Sequence, residues 1–280
     1  LWVYLIPLLV VIVYSLARHA HYGIFNKTIA YWACNPFYKD HTSYGAVLAF
    51  LIPPVIALLF FKEYSKKTRI VLLGISFVLL VALVFSYTRA AWLGVVASFG
   101  IWLAIRLQIK FKFVVLIVIG SALLGWFGWT QLYVSLSQNK QDSSTNLSEH
   151  LRSISNIKND ASNMERLNRW SCATRMFYDK PFLGFGPGTY MFQYAPYQLS
   201  YEKTIISTNA GTMGNAHSEY LGPLAESGFL GMLSFLAVIF STIFTSVRVI
   251  RNRNGQARAM AIAALLGLIT YYIHGVMNNF

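Results

Sequence analysis

The sequence predicts an all-α polytopic membrane protein, with about seven transmembrane helices and one large helical loop between them. Three observations predict it. Hydrophobic residues make up 56% of the 280-residue chain and charged residues only 12%, against about 25% charged residues in a soluble domain. The apolar residues fall in runs close to the ~20 that a helix rising ~1.5 Å per residue needs to cross hydrocarbon. The basic residues behind the net charge of +13 sit in short clusters between these runs. No nucleic-acid partner is therefore expected. The cations read as topology signals and as contacts for membrane lipids or lipid diphosphates.

Seven runs read as spans: Leu1–Ala17, Tyr44–Phe61, Ile70–Tyr87, Ala90–Ile105, Phe113–Trp129, Phe229–Val247 and Ala259–Val276. The chain opens at Leu1, inside an apolar run and without an initiator Met, so it reads as a fragment. Lys62, Lys66, Lys67 and Arg69 follow the second run; Arg106, Lys110 and Lys112 follow the fourth; Arg248, Arg251, Arg253 and Arg258 follow the sixth. All three clusters then fall on one side, which the positive-inside rule makes cytoplasmic. The expected organisation is five helices over 1–129 with an external loop at 18–43, a large external loop over 130–228, and two helices over 229–280. The external side would be the periplasmic face of a bacterial inner membrane.

The long polar stretch has helical patterning of its own. Leu147, Leu151, Ile154 and Ile157 recur at helical spacing, as do Leu167, Trp170, Thr174 and Phe177. The run Pro181-Phe-Leu-Gly-Phe-Gly-Pro-Gly188 reads as a turn, not a phosphate loop, because no Lys-Ser/Thr pair ends it. A loop of this length with its own helices is usually functional.

Several residues could carry chemistry. Arg89 stands between two spans with almost no loop, so it lies at headgroup depth. It is either a snorkelling anchor or a fixed guanidinium for a phosphate. Arg166 and Arg169 precede Trp170 on one expected helix; Arg166 lies nearer its apolar face, with a solvated face as the alternative. His217 and Glu219 stand where the chain returns to the membrane, with Ser218 placed to cap the next helix. A histidine there could accept a proton from an attacking hydroxyl, or simply serve the helix start. Glu219 and Glu226 could orient it or be surface acids. His274, near Asn278 and Asn279, makes another polar cluster at a span end, which is more often interhelical hydrogen bonding. The six histidines offer no H-E-x-x-H motif, so neither metal nor other cofactor is expected. Cys34 and Cys172 both fall outside, where a disulfide is chemically permitted.

These residues carry a resemblance. Ser86-Tyr-Thr-Arg-Ala-Ala-Trp-Leu-Gly94 resembles the arginine junction of the O-antigen ligase and polymerase superfamily of bacterial membrane glycosyltransferases. Arg166-Leu-Asn-Arg-Trp170 with Asp179-Lys-Pro-Phe-Leu-Gly-Phe-Gly186 resembles that superfamily's arginine–tryptophan helix and "P-L-x-G-x-G" turn. Ala216-His217-Ser-Glu-Tyr-Leu221 with Leu224-Ala-Glu-Ser-Gly-Phe-Leu-Gly231 is similar to its histidine signature, with Ser218 where Asn is common. The resemblance implies transfer of a glycan from an undecaprenyl-diphosphate carrier to an acceptor lipid, glycan or protein. By position it makes His217 the catalytic histidine and Arg89 and Arg166 the diphosphate ligands. Arg169, Trp170, Glu219 and His274 complete the site as substrate-binding residues. O-antigen ligation, repeat-unit polymerisation and protein O-glycosylation all remain open within it. From other classes, a flippase for lipid-linked sugars would want charges at mid-membrane and broken spans, and no Asp, Glu, Lys or Arg stands at the centre of an expected span. A membrane scaffold would leave the arginine and histidine at membrane level unexplained.

Overall fold

The structure is a computed structural model that describes residues 1–61, 64–110, 161–208 and 214–279, with parts of 112–124. Among the described residues, six helices are long and apolar enough to cross a membrane, by length and composition. They are α1 (Trp2–Tyr22), α3 (His41–Leu58), α4 (Lys66–Phe85), α5 (Arg89–Arg106), α8 (Leu221–Asn252) and α9 (Gly255–Met277). Short α2 (Lys27–Ala33) joins α1 to α3, while α6 (Ala161–Asp179) and α7 (Tyr190–Gln193) belong to the polar segment. The chain is thus an all-α, multi-pass membrane protein. The expected span Phe113–Trp129 lies for the most part outside the described residues, as does the expected helix over Leu147–Ile157.

Helix ends differ from the apolar runs because polar residues start them. The Asp40 carboxylate accepts from the Thr42 and Ser43 amides at 2.8 and 2.9 Å, which begins α3 at His41 rather than at the first apolar residue. Ser65 Oγ accepts from the Thr68 amide and begins α4 at Lys66. α8 begins eight residues before the expected span, at Leu221.

The described residues form two compact units. The first takes in Leu1–Phe99 and Ser234–Phe280. Its core joins Leu5, Leu8 and Ile12 of α1 to Leu48, Ile52 and Val55 of α3 and Leu72 and Leu79 of α4. Apolar burial gives little net attraction between helices already in lipid, so close van der Waals packing holds such a bundle. Small residues permit it: a Cβ on Gly94 of α5 would stand 2.9 Å from the Thr270 carbonyl oxygen of α9, and one on Gly45 of α3 would stand 2.6 Å from Thr88 Oγ1.

The second unit holds the described residues from Gly100 to Leu233. Its core gathers Cys172, Ala173 and Met176 of α6, Tyr190 and Tyr194, Ala216, and Ala225 of α8. The stripe that α6 buries runs through Glu165, Asn168, Arg169, Cys172, Ala173 and Met176. Of the stripe expected from hydropathy, Leu167 is buried in a small cluster with Met164 against which Trp170 packs, whereas Trp170, Thr174 and Phe177 are only half-buried. The buried face of α6 thus also carries Glu165, Asn168 and Arg169, polar residues with hydrogen-bond partners, which an apolar periodicity cannot register.

Candidate functional site

In the first unit, Arg89 is the first residue of α5, with only three residues between it and the end of α4 at Phe85. The junction Ser86–Thr88 is fixed from several sides. Ser86 Oγ donates to the Leu83 carbonyl at 2.7 Å, Thr88 Oγ1 donates to the His41 carbonyl at 2.8 Å, and Trp92 Nε1 donates to the Leu83 carbonyl at 2.8 Å. Tyr87 turns the chain with φ 53°, a left-handed conformation unusual for an aromatic residue. The serine, threonine, tryptophan and glycine of the 86–94 motif therefore build a rigid two-helix corner, and Arg89, half-buried, stands on it. His274 is fully buried, with Nε2 3.5 Å from the Asn278 side-chain nitrogen at the C-terminal end of α9. This contact lies within one helix and its C-cap, four positions apart.

In the second unit, His217 is held by its backbone. It sits in the left-handed region at φ 48°. Its amide donates to Asn215 Oδ1 at 3.0 Å, and its carbonyl accepts from Trp170 Nε1 at 3.3 Å. The next residue, Ser218, is 1% exposed and its Oγ accepts from the amides of Tyr220 and Leu221, which is the helix cap the sequence suggested. A non-glycine residue held with positive φ is costly, so the surroundings must fix it, and such positions cluster at functional sites. Half-buried Glu219 lies in the turn between His217 and α8.

Trp170 and Arg166 lie one turn apart on α6. Arg166 is half-buried and its Nη1 lies 3.3 Å from Asn163 Oδ1. Arg169, not Arg166, is the arginine α6 buries: it is 3% exposed and its Nε donates to Glu165 Oε1 at 2.6 Å. Its guanidinium carbon lies 3.8 Å over the Tyr194 ring and its Nη2 donates to Thr208 Oγ1 at 2.9 Å. Burial would lower the Arg169 pKa, but the Glu165 carboxylate outweighs it and raises the pKa above its ordinary value. Glu165 also accepts from the Thr204 and Ser207 hydroxyls, and Asn168 donates to Gln198 Oε1 at 2.9 Å. These bonds fasten the 198–208 loop to α6. Arg175 makes a forked pair with Glu202 at 2.8 and 2.6 Å, and burial is offset there as well.

The Pro181–Gly188 run is a turn docked on α8, backbone against backbone. The Phe185 and Gly186 amides donate to the carbonyls of Ala225 and Glu226 at 3.2 and 2.7 Å, and the Phe229 amide donates to the Pro181 carbonyl at 2.7 Å. Gly184 and Gly228 both have positive φ, 65° and 63°, and a Cβ on either would fall within 2.4 Å of the opposite backbone. Gly228 breaks the helical geometry of α8 at this place. The Glu226 carboxylate accepts from the amides of Gly188 and Tyr190, each at 2.9 Å. Glu226 therefore fixes the turn, a role that no sequence signal beyond the shared motif indicated.

Both cysteines are free and buried, and burial pushes their thiols up to about 11 for Cys34 and about 12 for Cys172. Among the described residues no three of His, Cys, Asp and Glu cluster as metal ligands would.

The structure thus brings Arg166, Trp170, His217 and Glu219 into one unit and places Arg89 and His274 in the other. No curated protein sequence matches this chain. The sequence profile of the O-antigen ligase family matches residues 73–236, a range that holds the arginine corner, α6, the docked turn and the histidine segment but not His274. On that match over more than half its length, the chain belongs to the O-antigen ligase family.

Proposed function

We propose that the protein is an inverting, metal-independent glycosyltransferase. It moves a glycan from an undecaprenyl-diphosphate carrier to an acceptor hydroxyl or amide on the periplasmic face of the inner membrane. The observation that carries the reading is His217, an imidazole on a left-handed residue whose amide and carbonyl are both bonded and whose neighbour caps a helix. That presentation costs stability and suits a group that must meet a reacting atom.

In the proposed step the acceptor oxygen or nitrogen attacks the anomeric carbon as the carbon–oxygen bond to the diphosphate breaks. His217 takes the acceptor proton. The electron pair of the broken bond leaves on the diphosphate, whose charge Arg89 and Arg166 stabilise as fixed donors. Attack opposite the leaving group inverts the anomeric centre. Trp170 acts as a positioning residue, since its indole N–H holds the His217 carbonyl one helical turn from Arg166. Among the described acids of the second unit, four have other tasks: Glu165 meets Arg169, Glu202 meets Arg175, Glu226 meets backbone amides, and Asp179 accepts from Tyr197. Guanidinium groups are therefore the favoured charge partners of the diphosphate. Ligation to a lipid, repeat-unit polymerisation and protein glycosylation share this step and differ in the acceptor.

The test is consumption of lipid-linked glycan by purified protein. His217→Ala should insert normally and lose at least about 100-fold in turnover, the scale of general-base catalysis. Wild-type turnover should survive excess chelator. Near-normal turnover of His217→Ala would end the reading. Activity lost to chelator and restored by Mg²⁺ or Mn²⁺ would end its metal-independent form.

A further inference from the structure

We propose that the turn Pro181–Phe185 is a membrane anchor, with Phe182 and Leu183 inserted among lipid headgroups beside the place where α8 becomes lipid-covered. The side chains of Phe182 and Leu183 are 71% and 73% exposed, and Tyr178 on the last turn of α6 is 75% exposed. Ordinary turns present polar residues to water, and a contiguous exposed apolar patch marks an interaction surface.

The place of the patch names its partner. Along α8, residues 221–228 are buried or half-buried, whereas Phe229, Leu230 and Leu233 are each more than half exposed. A span with such a face is covered by lipid, so Gly228 marks where α8 passes from protein surroundings to hydrocarbon. The turn is tied to that point: the Phe229 amide donates to the Pro181 carbonyl at 2.7 Å, and the Leu230 amide lies 3.5 Å from the Phe182 carbonyl oxygen. The close approach at Gly184 and Gly228 holds the turn rigidly, so the two side chains stay extended beside the first lipid-covered residues. A soluble protein partner would have to enter the headgroup layer to reach them. Lys180, whose ammonium lies 4.4 Å over the Phe185 ring, supplies a cation on the same turn for lipid phosphates. The anchor requires only that α8 crosses the membrane, and it stands or falls apart from the catalytic reading.

Nitroxide labels on Leu183→Cys and, separately, on Phe182→Cys test it, in full-length protein in phosphatidylethanolamine–phosphatidylglycerol nanodiscs. The two native cysteines are buried at 1% and 0% exposure, so the label goes to the new thiol. Collisions with oxygen, which concentrates in lipid, should exceed collisions with a water-soluble nickel chelate severalfold at both positions. Nickel collisions that equal or exceed those with oxygen at both positions would overturn the anchor. Because each label sits on an exposed side chain, both variants should keep the fold, and a melting temperature in nanodiscs equal to that of the wild type checks it.

Discussion

Glu226→Gln tests whether this carboxylate holds the glycine-rich turn in place. In the wild type its two oxygens accept from two backbone amides, Gly188 and Tyr190, both at 2.9 Å. Glutamine keeps one acceptor and turns an amide nitrogen toward the other N–H. One hydrogen bond to a charged acceptor is lost, worth about 1.5–3 kcal/mol. Water can reach the exposed Gly188 amide, so the lower end, about 1.5 kcal/mol, applies. At ~1.4 kcal/mol per tenfold, one of the two amides should exchange hydrogen roughly ten times faster. Glu226→Ala removes both bonds and should speed exchange roughly tenfold at each of the two amides. The Gly186 and Phe229 amides donate to backbone carbonyls and should change far less. The assay is hydrogen exchange in nanodiscs, read at single-residue resolution across 181–190. Changes below about threefold at Gly188 and Tyr190 in both variants would refute the assigned role.

Three further outcomes are expected. Arg89→Lys should lose at least about tenfold in turnover although the charge remains, because a lysine cannot make a forked contact with phosphate; full activity of Lys with an inactive Ala variant would leave charge alone as the requirement. Glu165→Gln should destabilise the second unit by about 3–5 kcal/mol, since it leaves the Arg169 guanidinium buried without its carboxylate; denaturant unfolding of purified protein measures this, and an unchanged midpoint would contradict it. At Asp40, burial alone would raise the pKa, but donation from Thr42 and Ser43 outweighs it and lowers the pKa below the ordinary 3.8. The stability this adds is present above the ordinary value and is lost as pH falls through the lower folded value. Wild-type melting should therefore drop from pH 5 toward pH 2 more than that of Asp40→Asn, which keeps a cap but does not titrate; parallel curves would remove Asp40 from the acid response.

The sequence by itself determined the class of the molecule. Runs of hydrocarbon long enough to cross a bilayer have one stable conformation there, because each backbone group must be bonded within its own helix. That is why α1, α3, α4, α5, α8 and α9 lie where apolar runs predicted them. Local chemistry was equally legible at the Ser218 cap, whose partners are close in sequence. Tertiary structure decided the rest. Sequence periodicity favoured Arg166 as the inward arginine of α6, yet Arg169 is the buried one, because Glu165, Tyr194 and Thr208 surround it. The bond from Trp170 to His217 spans 47 positions and those from Gly188 and Tyr190 to Glu226 span 38 and 36. A hydropathy pattern records how each residue partitions between water and oil. It carries no signal for a charged or polar side chain whose cost of burial is met by a partner distant in the chain, and only the folded arrangement supplies that partner.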